Sequence, residues 1–159
     1  METVNEFINA CIYNKIYEVN RLIEEDKNIV NLKETIGGTT GLMWAASNNH
    51  IEVVRRILSN PDVDISVSND DGYTVLHECC INNSKDSLNL ILQHPHCDPE
   101  FLRKKNLAGD TAEMLAKNEG FKECVRLINK RCLGQVQATR IFHSTGSISD
   151  HPSFCKRSD

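Results

Sequence analysis

Gly72-Tyr73-Thr74-Val75-Leu76-His77-Glu78-Cys79-Cys80 is the stretch whose reading settles the architecture. Laid over Gly38-Thr39-Thr40-Gly41-Leu42-Met43-Trp44-Ala45-Ala46, it matches as glycine, any residue, threonine, a leucine two later and a closing pair of small residues. Gly109-Asp110-Thr111-Ala112-Glu113-Met114-Leu115-Ala116 is a third, weaker copy, and Phe7-Ile8-Asn9-Ala10-Cys11 a fourth that lacks the glycine and the threonine. The first small residue of the pair falls at Ala10, Ala45, Cys79 and Ala116, giving spacings of 35, 34 and 37. A period of this length marks a stacked solenoid, in which one unit cannot bury its own apolar face but neighbours cover one another.

Within each unit the pattern reads as two antiparallel helices. Thr74 stands where an N-cap hydroxyl can serve the first free amides of a helix running to Asn82. At Asn83 the chain must reverse in a left-handed conformation, and Asn14, Asn49 and Gly120 occupy the same position in the other units. Asparagine and glycine tolerate positive φ most readily. Second helices follow, with apolar residues at helical spacing: Val53, Val54, Ile57 and Leu58 in the second unit, Cys124, Val125, Leu127 and Ile128 in the fourth. Turn-rich stretches at 60–72 and 94–109 separate the units. The repeats are expected at about 3–34, 35–68, 69–105 and 106–131. Thr3-Val4-Asn5-Glu6 reads as a capping box for the first helix, and polar Asn5, Asn9, Asn20 and Arg21 suit an end cap. Beyond residue 131 the helical period is read as ending, and the serine-rich stretch 132–159 as a disordered tail.

This pattern resembles the ankyrin repeat. Gly72-Tyr73-Thr74-Val75-Leu76-His77 and Asn49-His50-Ile51-Glu52-Val53-Val54 carry the resemblance, being close to the family's glycine-x-threonine-proline-leucine-histidine and glycine-histidine-x-glutamate-valine-valine stretches. It covers about residues 3–131 and implies an all-α fold, a solenoid of stacked helix-turn-helix units with short hairpin-like connections. The family's proline is missing; Gly41, Val75 and Ala112 stand there. Met43 and Met114 replace the histidine in two copies, from which a looser array is expected.

Composition narrows the function classes. A chain of 159 residues fits one domain. Its net charge of -4 gives no basic field for a nucleic-acid backbone or an anionic membrane. No apolar run approaches a membrane span, and residues 1–10 lack the pattern of a secretion signal. Seven cysteines, an odd count, suit reduced thiols and a cytoplasmic or nuclear setting.

The chain offers little that resembles reaction chemistry. Cys79, Cys80, Cys11 and Cys124 lie on apolar positions and read as small core residues. His94-Pro95-His96-Cys97-Asp98 has metal-ligand types, yet Pro95 and the tight spacing make joint tetrahedral ligation awkward, so a polar loop is expected there. His77 falls one turn after Thr74, where the resemblance implies a local structural bond. Phosphate cradles, nucleophile elbows and zinc-protease motifs are not found. No catalytic residue, metal or cofactor is expected.

What remains is a surface. The resemblance implies that partner proteins bind a concave face built from the first helices and the turn tips. By register that face comprises Ile12 and Tyr13; Ile36, Thr39, Ser47 and Asn48; Asp70, Asp71, Tyr73, Ile81 and Asn82; and Leu107, Asp110, Asn118 and Glu119, with Trp44 and Glu78 sharing one column. Trp44 and Tyr73 are the aromatic anchors of such a face. Asp70, Asp71, Glu78, Asp110 and Glu119 favour a basic or mixed-charge protein segment. The expected function is therefore a small adaptor, scaffold or inhibitor binding another protein, monomeric by itself. In dimensions it resembles small inhibitors of cyclin-dependent kinases, and masking of a transcription factor, as in inhibitors of the NF-kappaB type, is a further form of the same reading. The rival places function in the tail, where serines at 144–150 and Ser158 could carry a phosphorylated docking motif. The open end at Val125, Leu127 and Ile128 needs cover, from Phe142 and Phe154 or by self-association.

Overall fold

Thr40, Thr74 and Thr111 each sit in extended backbone immediately before a helix. The hydroxyl of Thr40 accepts from the Met43 amide and that of Thr111 from the Met114 amide, each at 3.3 Å. These caps open α3 (Gly41–Ser47), α5 (Val75–Ile81) and α8 (Ala112–Asn118). The chain then reverses through Asn49 (φ 56°), Asn83 (φ 54°) and Gly120 (φ 75°), and in the first unit through Asn14 (φ 56°) after α1 (Glu2–Ile12). All four left-handed positions read from the sequence are therefore real. The return helices are α2 (Ile16–Glu25), α4 (Ile51–Leu58), α6 (Lys85–Leu92) and α9 (Lys122–His143). The computed structural model describes residues 2–143, with side-chain surroundings as far as residue 134. Among the described residues there is no strand; isolated bridges Lys33–Thr40, Ser68–Thr74 and Lys105–Thr111 close the hairpin-like connections.

The helices form two layers. In the inner one α1 packs on α3, α3 on α5 and α5 on α8; in the outer one α2 packs on α4, α4 on α6 and α6 on α9. Ala10, Cys11, Ala45, Ala46, Cys79, Cys80 and Ala116 have no exposed surface, so the small pair at the end of each motif is what lets the inner helices approach. Phe7, Leu22, Met43, Ile57, Leu76, Leu88 and Ile91 are the large side chains of the core, at most 1% exposed, each contributing about 1.5–3 kcal/mol through burial. Polar contacts repeat from unit to unit. His50 Nε2 donates to the Ile12 carbonyl (2.9 Å), and one unit later Ser84 Oγ donates to the Ser47 carbonyl (2.6 Å). The turn tips join as well, Asp70 N–H to the Gly37 carbonyl and Leu107 N–H to the Asp71 carbonyl, both at 3.0 Å.

Four sequence expectations need correction. The array is not loosened at Met43: the side chain is 1% exposed and replaces the histidine's hydrogen bonds with packing. Gly41, which stands where the family has proline, faces the Phe7 ring so closely that a Cβ there would come within 2.6 Å of it; a large core residue in the preceding unit has taken that volume. The first helix already includes Glu2 and Thr3, so Thr3 is not its cap, and Glu6 pairs with Arg21 instead. The connection at 94–109 contains a helix, α7 (Pro99–Leu102), opened by the Asp98 carboxylate accepting from Phe101 N–H at 2.8 Å. Asp-Pro is a start signal that was legible in the sequence. Finally, α9 does not stop at residue 131 but continues to His143. Its Gln, Ala and Arg residues are good helix formers, and a lone Gly134 costs only about 1 kcal/mol. At the end of the stack Ile128 is buried while Val125 and Leu127 are half-buried. The Phe142 side chain, Phe154 and the serines of the tail lie outside the described residues.

Candidate interaction surface

The inner helices and the turn tips share one side of the stack, and every side chain assigned to it by register is at least partly accessible. Tyr13 (68%), Ile36 (86%) and Leu107 (79%) project furthest. Asp70, Asp71, Asn48, Asn82, Asn118, Glu119 and Ile81 are exposed; Ile12, Thr39, Trp44, Ser47, Tyr73, Glu78 and Asp110 are half-buried. Ile36 and Leu107 flank Asp70 and Asp71 along the hydrogen-bonded tips, so the ridge runs apolar, acidic, apolar. Isoleucine and leucine held almost wholly in water cost solubility and contribute nothing to the core.

Several assigned residues have structural duties too. Asn48 Nδ2 donates to the Trp44 carbonyl (3.0 Å) and Asn82 Nδ2 to the Glu78 carbonyl (2.9 Å), the same bond one repeat apart. Each of these carbonyls also accepts the same asparagine's backbone N–H, so the side chain adds a second bond to its helix's last turn. Tyr73 packs edge-on against the His77 ring at 5.7 Å. The Trp44 indole N–H donates to Glu34 Oε1 at 3.3 Å, which fixes the ring's heading toward its own hairpin. Glu34 was not singled out from the sequence, because it lies in a connection where helical register gives no guidance.

Glu78 stands apart electrostatically. Its carboxylate is half-buried, has no hydrogen bond or ion pair among the described residues, and is pushed upward in pKa by desolvation. His77, its neighbour in sequence, is buried and fully bonded. Its Nδ1 accepts from Thr74 N–H (3.1 Å), with the Thr74 hydroxyl at 2.8 Å, and its Nε2–H donates to the Asp110 carbonyl of the next repeat at 3.1 Å. Burial holds its pKa below the ordinary histidine value, so it is a neutral structural link, as its register implied.

The other chemical candidates disperse. Cys79, Cys80, Cys11, Cys124 and Cys97 are all buried, and burial raises the Cys11, Cys79 and Cys97 thiols. In the 94–98 cluster Cys97 turns inward, Asp98 caps α7, and His94 and His96 face each other edge-on at 5.3 Å. Among the described residues no three His, Cys, Asp or Glu side chains converge as metal ligands. A shallow depression of about 910 Å³ beside them includes Asp64, Ser66, His96 and Lys104. Asp64 is already bonded to Ser66, and Lys104 Nζ to the Ser66 carbonyl. No described helix is long and apolar enough to cross a membrane.

Known proteins agree with this geometry. Ankyrin repeat domain-containing protein 49 of Drosophila melanogaster is 37% identical over 82 residues, 52% of this chain and 35% of that protein. The ankyrin repeat protein YahD of Escherichia coli is 26% identical over 133 residues, 79% of this chain and 62% of that protein. The chain thus spans about a third and about three fifths of these relatives' lengths. Ankyrin repeats are in general protein–protein interaction modules, and proteins built from them are typically not enzymes. With the family's sequence profile, three ankyrin repeats, matching residues 7–101 and the repeats stacked as described, this chain belongs to the ankyrin-repeat family.

Proposed function

We propose that this protein is a binding module without chemistry of its own, an adaptor, scaffold or inhibitor that takes a partner protein on its inner-helix face and turn tips. The observation that carries the reading is the tip ridge, where Ile36 and Leu107 stand 86% and 79% exposed on either side of the exposed carboxylates of Asp70 and Asp71. A partner segment with apolar side chains around a basic centre complements it in both respects, and such charge matching sets orientation and encounter rate. The tips are tied to one another by backbone bonds, so little order has to be created on binding. The protein acts as a monomer in the cytoplasm or nucleus, where its reduced thiols are at home.

The test is a quantitative pull-down with the full chain and an Ile36→Ser/Leu107→Ser variant. Both side chains lie outside the core, so the variant's melting temperature should match that of the parent within the scatter expected of surface changes. Loss of the parent's partners by that variant is the expected result. Full retention of the same partners would place binding elsewhere on the molecule.

A further inference from the structure

Helices α3 and α5 lie side by side in the inner layer, and Trp44 and Glu78 occupy the same register on them. Their equivalence is visible in the matching bonds that Asn48 and Asn82 make to the two carbonyls. Neighbouring packed helices stand about 8–10 Å apart, so the two half-buried positions are neighbours on the open side of the stack. The Trp44 ring is anchored through its indole N–H by Glu34. Leu115 occupies the same position on α8 and is half-buried, so the column runs Trp44, Glu78, Leu115, with apolar residues before and after the acid.

A carboxylate in such a place is costly to leave unpaired. It is partly desolvated, yet no described donor reaches it, while other acidic groups on this chain are bonded: Asp64 to Ser66, Asp98 to Phe101 N–H, Glu123 to Arg126. Among the described residues, then, nothing neutralises Glu78. We propose that Glu78 and Trp44 form a receptor for one arginine side chain of the partner protein, the guanidinium pairing with the Glu78 carboxylate and stacking on the indole. Arginine fits better than lysine because its planar fork can bond a carboxylate in bidentate fashion while its face lies on an aromatic ring. This rests on the inner face being the binding surface, and adds which chemical group it selects.

The experiment uses a phage-displayed library of random dodecapeptides selected on the full 159-residue chain. Trp44 is the sole tryptophan, so its fluorescence reports binding at this place. Selected peptides that change that signal should contain an arginine whose replacement by citrulline weakens binding at least about tenfold, as loss of a charge-assisted bond does. On a Glu78→Gln variant the same replacement should cost little, while the variant keeps its parent's circular dichroism. Peptides that change Trp44 fluorescence without any cationic residue, an equal citrulline penalty on the variant, or lysine serving as well as arginine would each overturn the proposal and leave the binding face standing. Selected peptides that leave Trp44 silent, bind the Ile36→Ser/Leu107→Ser variant equally well and compete with no inner-face binder would overturn the face itself.

Discussion

The second and third repeats place different residues at one position and solve the same packing problem by different means. In the third, His77 ties the Thr74 amide of its own helix start to the Asp110 carbonyl of the next repeat. In the second, Met43 makes no such bonds and is equally buried. One junction is held by direction-specific polar contacts, the other by volume. The lesson is that the histidine is a device for order and register rather than a requirement of the fold, because a flexible thioether fills the same space. In the last repeat Met114 is 43% exposed, since among the described residues no further repeat packs over it.

Shortening Met43 to alanine should produce the largest effect, about 2–5 kcal/mol lost in urea unfolding, because the buried volume has no polar anchor to hold it closed. A loss below 1 kcal/mol would mean that the second junction is not a close-packed one. Gly41→Ala comes next: its Cβ would press on Phe7, and overpacking of this kind costs about 1–3 kcal/mol, seen as a lowered melting temperature. If the melting temperature is unchanged, the Phe7 ring has room that the packing denies.

His77 supplies the sharper test. Its folded pKa lies below its unfolded value of about 6.5 because burial disfavours the charged ring. The unfolded chain therefore binds the proton first as pH falls. The stability that neutral His77 contributes is complete above pH ~6.5 and is lost progressively below it, toward the lower folded pKa. Protonation would also set an N–H on Nδ1 against the Thr74 amide. Replacing His77 with methionine, which copies the second repeat, should flatten this part of the stability–pH curve relative to the parent; the converse Met43→His should add such a slope. Identical slopes in parent and His77→Met between pH 5 and 7 would assign the sensitivity to other groups. The smallest effect is expected from Thr111→Ala, about 1 kcal/mol for the loss of one N-cap bond.

Legibility differed between fold and surface for reasons that particular residues show. The positive-φ turns at Asn14, Asn49, Asn83 and Gly120 were readable because only a few residue types tolerate that backbone. The accessible column was readable too, since register fixes which way a helical side chain points. Harder to read were the roles of individual members. Asn82 and Tyr73 look like free binding groups in the sequence, yet one serves its helix end and the other packs on His77. Cys97 looked like part of a polar loop and is buried.

By itself, then, the sequence determined the repeat period, the threonine-capped helix starts, the reversals and the side of the stack that stays open. These depend on local rules: an N-cap hydroxyl, a left-handed residue, an apolar stripe with a small pair at its end. Tertiary structure alone decided that Phe7 occupies the volume above Gly41, that Met43 substitutes for a histidine without loosening the junction, that Glu34 holds the Trp44 ring, and that Glu78 is partly desolvated with no partner in the described chain. Each of these joins residues from different helices or connections. Whether a charge is answered, or a cavity filled, depends on what the stack brings opposite it, and no periodicity within one repeat encodes that.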